Sequence, residues 1–145
     1  MMLTGFLKNA LNEFNLSPKD VSQYSPLALA YIGDAVYEVF IRTLIISETR
    51  APVHMLHKRS VDFVKAKAQS DTIHRIMDSL TPDEQDIVRR GRNSKSGTIP
   101  KNADVTEYRY ATGFESLIGF LYLMQEHDRL MQVLKMSITE NKNQD

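Results

Sequence analysis

The sequence predicts an all-α fold, and three observations predict it. Apolar residues recur at i, i+3 and i+4 along most of the chain, the spacing that gives a helix one apolar stripe. No stretch shows the period-two alternation of a half-buried strand. Prolines and small polar residues stand where the stripes begin and divide the chain into helical lengths. At 145 residues the chain reads as a single domain, residues 1–145, with its core over about 25–138 and a polar tail over 139–145. A domain of this size buries about 68–70% of its unfolded surface.

The elements follow in order. Residues 3–14 place Leu3, Phe6, Leu7, Ala10, Leu11 and Phe14 on one helical face, and Ser17-Pro18 ends that segment or caps a single turn. Ser25-Pro26 is an N-cap followed by proline at the first helical position, where the missing N–H is not needed, and the pattern runs on to about Ile46. Pro52 opens a region that reads as a helix over 53–69 and another over 71–79, with Ser70 as the cap between them. "TPDE" at 81–84 is a capping box, and Gly91 is expected to close the short helix that follows. Residues 91–104, "GRNSKSGTIPKNAD", form the one long loop. Asp104 and Glu107 restart a helix to about Gln125, and a last amphipathic stretch covers 127–138.

Composition narrows the chemistry. The absence of cysteine removes disulfides, thiolate metal sites and thiol nucleophiles, and fits a reducing compartment; the expected location is cytoplasmic. No segment has the uninterrupted apolar length of a membrane span, and the amino terminus lacks a secretory apolar run. Lys plus Arg equals Asp plus Glu at 18 each, so only the distribution of charge can point to a partner.

Two acids stand out because of what surrounds them. "ALAYIGDAVYEVF", residues 28–40, holds Asp34 and Glu38 one turn apart in an otherwise apolar helix, with Gly33 beside Asp34. "ATGFESLIGFLYL", residues 111–123, holds Glu115 among apolar and small residues, with Gly113 and Gly119 nearby. If the two helices cross at their glycines, Asp34 meets Glu115, and two carboxylates at close range share a proton or a divalent cation. An oxygen-only pair of that kind suits Mg2+. The alternative is that each pairs with an arginine such as Arg42, Arg75 or Arg109, or points to solvent. Glu38, without an adjacent glycine, reads as solvated.

A basic run precedes the second acid. Residues 89–101, "RRGRNSKSGTIPK", carry three Arg, two Lys and no acid. Arg89, Arg90, Arg92, Asn93, Lys95, Ser96 and Lys101, with Arg109 of "YRY", offer charge, hydroxyls and amides to phosphate oxygens, although such a run also suits a merely solvated surface. A second basic group, "HKRSVDFVKAK" at 57–67, would lie on one long helix and extend that surface. His54 and His57 have metal-capable spacing but no third ligand nearby, and the His127-Asp128 pair lacks the further histidines a phosphohydrolase would need. No phosphate-binding glycine loop, dinucleotide fingerprint or serine elbow is present.

"YIGDAVYE" (31–38) resembles the signature of the ribonuclease III endonuclease-domain family, and "FESLIGFLYL" (114–123) resembles its second acidic motif. With "RGRNSKSGTIPKNAD" between them and "YRYATGFE", the chain is similar to the Mini-ribonuclease III subfamily over roughly residues 25–125. The resemblance implies a homodimeric helical domain in which Asp34 and Glu115 are the catalytic and metal-binding acids. The second helix is apolar around more of its circumference than one core contact requires, from Leu27 and Leu29 through Tyr31 to Phe40, which suits a two-fold interface along it, and Tyr31 resembles the aromatic that the family inserts into its partner. Two acids of the wider family are replaced here by Ala30 and Thr112. The chain ends soon after the second motif, so no separate double-stranded-RNA-binding domain is expected and the basic loop takes over the grip. The implied activity is magnesium-dependent endonucleolytic cleavage of double-stranded RNA, leaving 5′-phosphate ends. Precursors of large-subunit ribosomal RNA are the implied substrate, and a ribosomal protein is a possible presenter of that RNA. Other readings are a catalytically weak RNA-binding module of the same fold and a protein-interaction domain without RNA.

Overall fold

Local capping sets where four of the helices begin in the computed structural model, which describes residues 2–94 and 99–139. The elements are α1 (Met2–Glu13), α2 (Pro18–Gln23), α3 (Pro26–Glu48), α4 (Val53–Val64), α5 (Ala66–Ile76) with a 3-10 turn over Met77–Ser79, α6 (Pro82–Arg92), α7 (Val105–Leu123) and α8 (His127–Thr139). There is no strand among the described residues. Ser17 and Asp20 form a capping box on α2, and Thr81 and Glu84 form another on α6. The Ser25 and Asp104 side chains accept the amides of Ala28 and Glu107 and start α3 and α7.

Two boundaries differ from the sequence-based expectation. The break after α4 falls at Lys65, in extended conformation (φ −63°, ψ 152°), and not at Ser70. Ser70 is buried inside α5, where its carbonyl accepts from His74. A serine that packs in a helix looks the same in sequence as one that caps it, and Lys65 carries no breaker signature. The basic group at 57–67 is therefore split between two helices. Gly91 does not close α6 but lies within it: a Cβ there would stand 2.8 Å from the Gly113 Cα. Its role is close approach to α7, and Asn93 is the C-cap.

The central element is α7, packed against α3, α5, α6 and α8. Phe114, Leu117, Ile118 and Leu121 are all fully buried on it. Each such side chain contributes about 1.5–3 kcal/mol of burial. Tyr37 of α3 meets Phe114 edge to face, centroids 5.0 Å apart, and its hydroxyl lies 3.3 Å from the Ser137 Oγ of α8. Leu11 of α1 joins this core, so apolar packing begins before residue 25. Among the described residues no helix is long and apolar enough to cross a membrane.

Candidate active site

Two glycines decide where the acids stand. A Cβ on Gly33 would collide with the Glu115 carbonyl and lie 2.8 Å from the Gly119 amide nitrogen, and one on Gly119 would collide with the Leu29 carbonyl. The backbones of α3 and α7 therefore touch at Gly33 and Gly119. Gly113 has a different duty, against Val88 and Arg92 of α6. Ser116 secures the same crossing by donating toward the carbonyls of Pro26 and Thr112, each at 2.8 Å.

This crossing brings Asp34 and Glu115 within hydrogen-bonding reach of each other. Asp34 is exposed, whereas Glu115 is half-buried. Burial pushes the Glu115 carboxyl up to about 9, and the charge of Asp34, its hydrogen bond and the charge of Glu38 push the same way. The arginines that could have neutralised the pair are engaged elsewhere or stand apart. Arg42 pairs with Glu38 at 3.1 Å, Arg75 donates to the carbonyls of Met136 and Ser137, and Arg109 is exposed on α7. Glu38 is half-buried and ion-paired rather than simply solvated.

Donor chemistry tests the metal. Two carboxylates facing each other, one of them half-buried, with only acids acting on it, form a site that ionises fully when a hard cation lies between them. The pair thus fits a divalent ion held by few protein oxygens and several waters. Neither Ala30 nor Thr112 adds a ligand: both are buried, and the Thr112 hydroxyl donates to the Tyr108 carbonyl at 3.0 Å. Among the described residues no cluster of three or more His, Asp and Glu side chains is placed to hold a metal.

The basic residues border the end of α6 and the start of α7. Arg89, Arg90, Asn93, Lys101 and Arg109 are exposed, and Arg92 is half-buried; Lys95 and Ser96 lie outside the described residues. The Arg92 Nε donates to the Asn93 Oδ1 at 3.1 Å, and its guanidinium lies 5.6 Å from the centre of the Tyr110 ring. Tyr31 and Leu27, on the α3 surface, are 83% and 38% exposed. The sequence did not reveal the Glu38–Arg42 pair as part of the acidic site, although its i, i+4 spacing was a signal. The contacts of Tyr110 with α5 and α6 had none.

An all-helical domain whose long helices cross at glycines to pair two carboxylates defines the class. The chain belongs to the ribonuclease III domain family, whose model matches residues 27–126 and so spans both acids. It is 52% identical over 136 residues to Mini-ribonuclease 3 of Thermoanaerobacter sp. (strain X514), covering 94% of each chain. It is also 52% identical over 121 residues to Mini-ribonuclease 3 of Clostridium tetani, covering 83% of this chain and 80% of that one. A crystal structure of a Fusobacterium nucleatum protein is similar at 31% identity and a TM-score of 0.75, over 84% of this chain and 98% of the other.

Proposed function

We propose that the protein is a homodimeric endoribonuclease that hydrolyses phosphodiesters in double-stranded RNA with magnesium, leaving 5′-phosphate ends. The observation that carries this reading is the pairing of Asp34 with a half-buried Glu115 across the α3–α7 crossing of a ribonuclease III domain. Asp34, at the surface, is the carboxylate that an RNA strand meets first. Glu115, behind it, is fixed by its own backbone contact with Gly33. These two acids would hold magnesium, which when bound supplies charge stabilisation at the phosphoryl oxygens and an activated water. Arg89, Arg90, Arg92 and Arg109 make no ion pair with a carboxylate among the described residues and are available to backbone phosphates. Duplex RNA presents phosphates and 2′-hydroxyls rather than base edges, which suits a surface of exposed arginines. Structured ribosomal RNA precursors are the substrates that the family resemblance implies.

The α3 surface supports the dimer. Tyr31, Val39 and Ile46 are 83%, 56% and 67% exposed along one helix. An apolar groove of about 210 Å³, lined by Ile45, Ile46, Val53 and Leu56 among others, lies toward its far end. A two-fold axis across α3 would set the Tyr31 end of one copy against the groove end of the other.

The test is a labelled structured RNA incubated with wild type and Asp34→Asn, in magnesium and in chelator. Cutting by the wild type in metal alone, with Asp34→Asn inactive yet still retarding the RNA, supports the enzyme. Retarded but uncut RNA in every lane makes the protein a binding module. Neither retardation nor cutting removes RNA from the reading.

A further inference from the structure

Arg92 differs from the other arginines around the loop. It is half-buried and held from several sides, whereas Arg89, Arg90 and Arg109 are exposed. The Nε donates to the Asn93 Oδ1 at 3.1 Å, one terminal nitrogen donates to the Tyr110 hydroxyl at 3.4 Å, and the guanidinium lies 5.6 Å from the ring centre. Tyr110 is itself supported from α5, because the His74 ring stands 4.1 Å from it, centroid to centroid, tilted by 47°. His74 is anchored in turn: its Nδ1 lies 2.8 Å from the Ser70 carbonyl, which only accepts, so that nitrogen carries the hydrogen. Three helices thus contribute one ring or guanidinium each to a single cluster beside the loop.

Charge at this cluster is one-sided. On the α5 side Lys67 pairs with Asp71 at 3.0 Å, and Glu107 acts on that same lysine. No carboxylate pairs with Arg92 among the described residues, which leaves its second terminal nitrogen without a partner there. A guanidinium fixed by an aromatic face and an amide has little further freedom to lose on binding, and its planar fork matches a phosphate.

We infer that Tyr110 and His74 are positioning residues that hold the Arg92 guanidinium ready for one phosphate of a bound RNA backbone. The inference rests on the RNA-cleaving reading above. Tyr110 precedes Glu115 by five residues, about 140° around α7, so the cluster grips a phosphate away from the carboxylate pair and does not touch the reacting atoms.

Binding of a perfectly paired RNA duplex is measured in chelator, with the full chain, at several salt concentrations. Arg92→Ala is expected to weaken affinity about tenfold and to lower the salt slope by about one. Tyr110→Leu reproduces that loss, Tyr110→Phe loses only the long 3.4 Å hydroxyl contact and costs less than Tyr110→Leu because the ring remains, and Tyr110→Leu in the Arg92→Ala background costs nothing more. His74 is exposed, so His74→Ala folds and keeps the test decisive if Tyr110→Leu does not; it weakens affinity about threefold. Tyr110→Leu and His74→Ala binding like wild type, or losing the same factor again without Arg92, would overturn the positioning role and leave the nuclease reading intact. A wild type that does not bind the duplex at all would overturn the RNA reading itself.

Discussion

Replacing Glu115 with glutamine should stabilise the protein when no metal is supplied, and the size of the gain follows from the site. The unfolded carboxyl titrates at 4.5, while burial and the neighbouring Asp34 raise the folded one to about 9. Between those two values the folded chain keeps a proton that the unfolded chain has released. Stability therefore falls as pH rises through this window, by about 1.4 kcal/mol per pH unit, and is fully retained only below 4.5. The accumulated loss is about 3 kcal/mol at pH 7. Glutamine is never charged and can donate its amide to Asp34, so it escapes that loss. Urea unfolding in chelator, followed by far-UV circular dichroism from pH 5 to 8, should show Glu115→Gln about 3 kcal/mol more stable at pH 7, the gap closing toward pH 5. Millimolar magnesium should then stabilise the wild type and not the variant. Parallel pH profiles for the two proteins, or a wild type at least as stable at pH 8 in chelator, would refute the buried, acid-coupled placement of Glu115.

Gly33→Ala drives a Cβ into the α7 backbone and should cost about 3 kcal/mol in urea unfolding together with RNA cleavage; a loss below about 1 kcal/mol would mean that the helices do not touch there. Arg129→Met strands the buried Glu84, which accepts two 2.8 Å bonds from that guanidinium, and should cost about 3–5 kcal/mol at pH 7. The bonds from Arg129 hold the Glu84 carboxyl below its ordinary 4.5, so its stabilisation is present above that value and lost as pH falls through the folded pKa; wild type and variant should converge in acid, and a constant gap would refute the pairing. On the proposed dimer, Tyr31→Asp, at the most exposed aromatic of α3, should sediment as a monomer under conditions in which the wild type sediments as a dimer, and a variant that still sediments as a dimer would move the interface off this face.

Much of the fold was legible because helix starts are local chemistry. Ser17 with Asp20, Thr81 with Glu84, and Asp104 with the Glu107 amide each act across three residues, a distance that sequence preserves. The isolated acids at 34 and 115, each close to a glycine, were visible for the same reason: an acid in an apolar helix is conspicuous wherever that helix packs. The sequence by itself thus determined the all-helical class, the main helix starts and the two acids that had to be explained. Only the tertiary structure decided that Gly33 and Gly119 are the crossing point while Gly91 and Gly113 serve α6. It likewise broke the α4–α5 region at Lys65, gave Arg42 to Glu38, and set Tyr110 between His74 and Arg92 in one cluster. Those outcomes depend on which backbone comes within van der Waals reach of which side chain across separations of tens of residues, and a linear pattern of residue types carries no such distance.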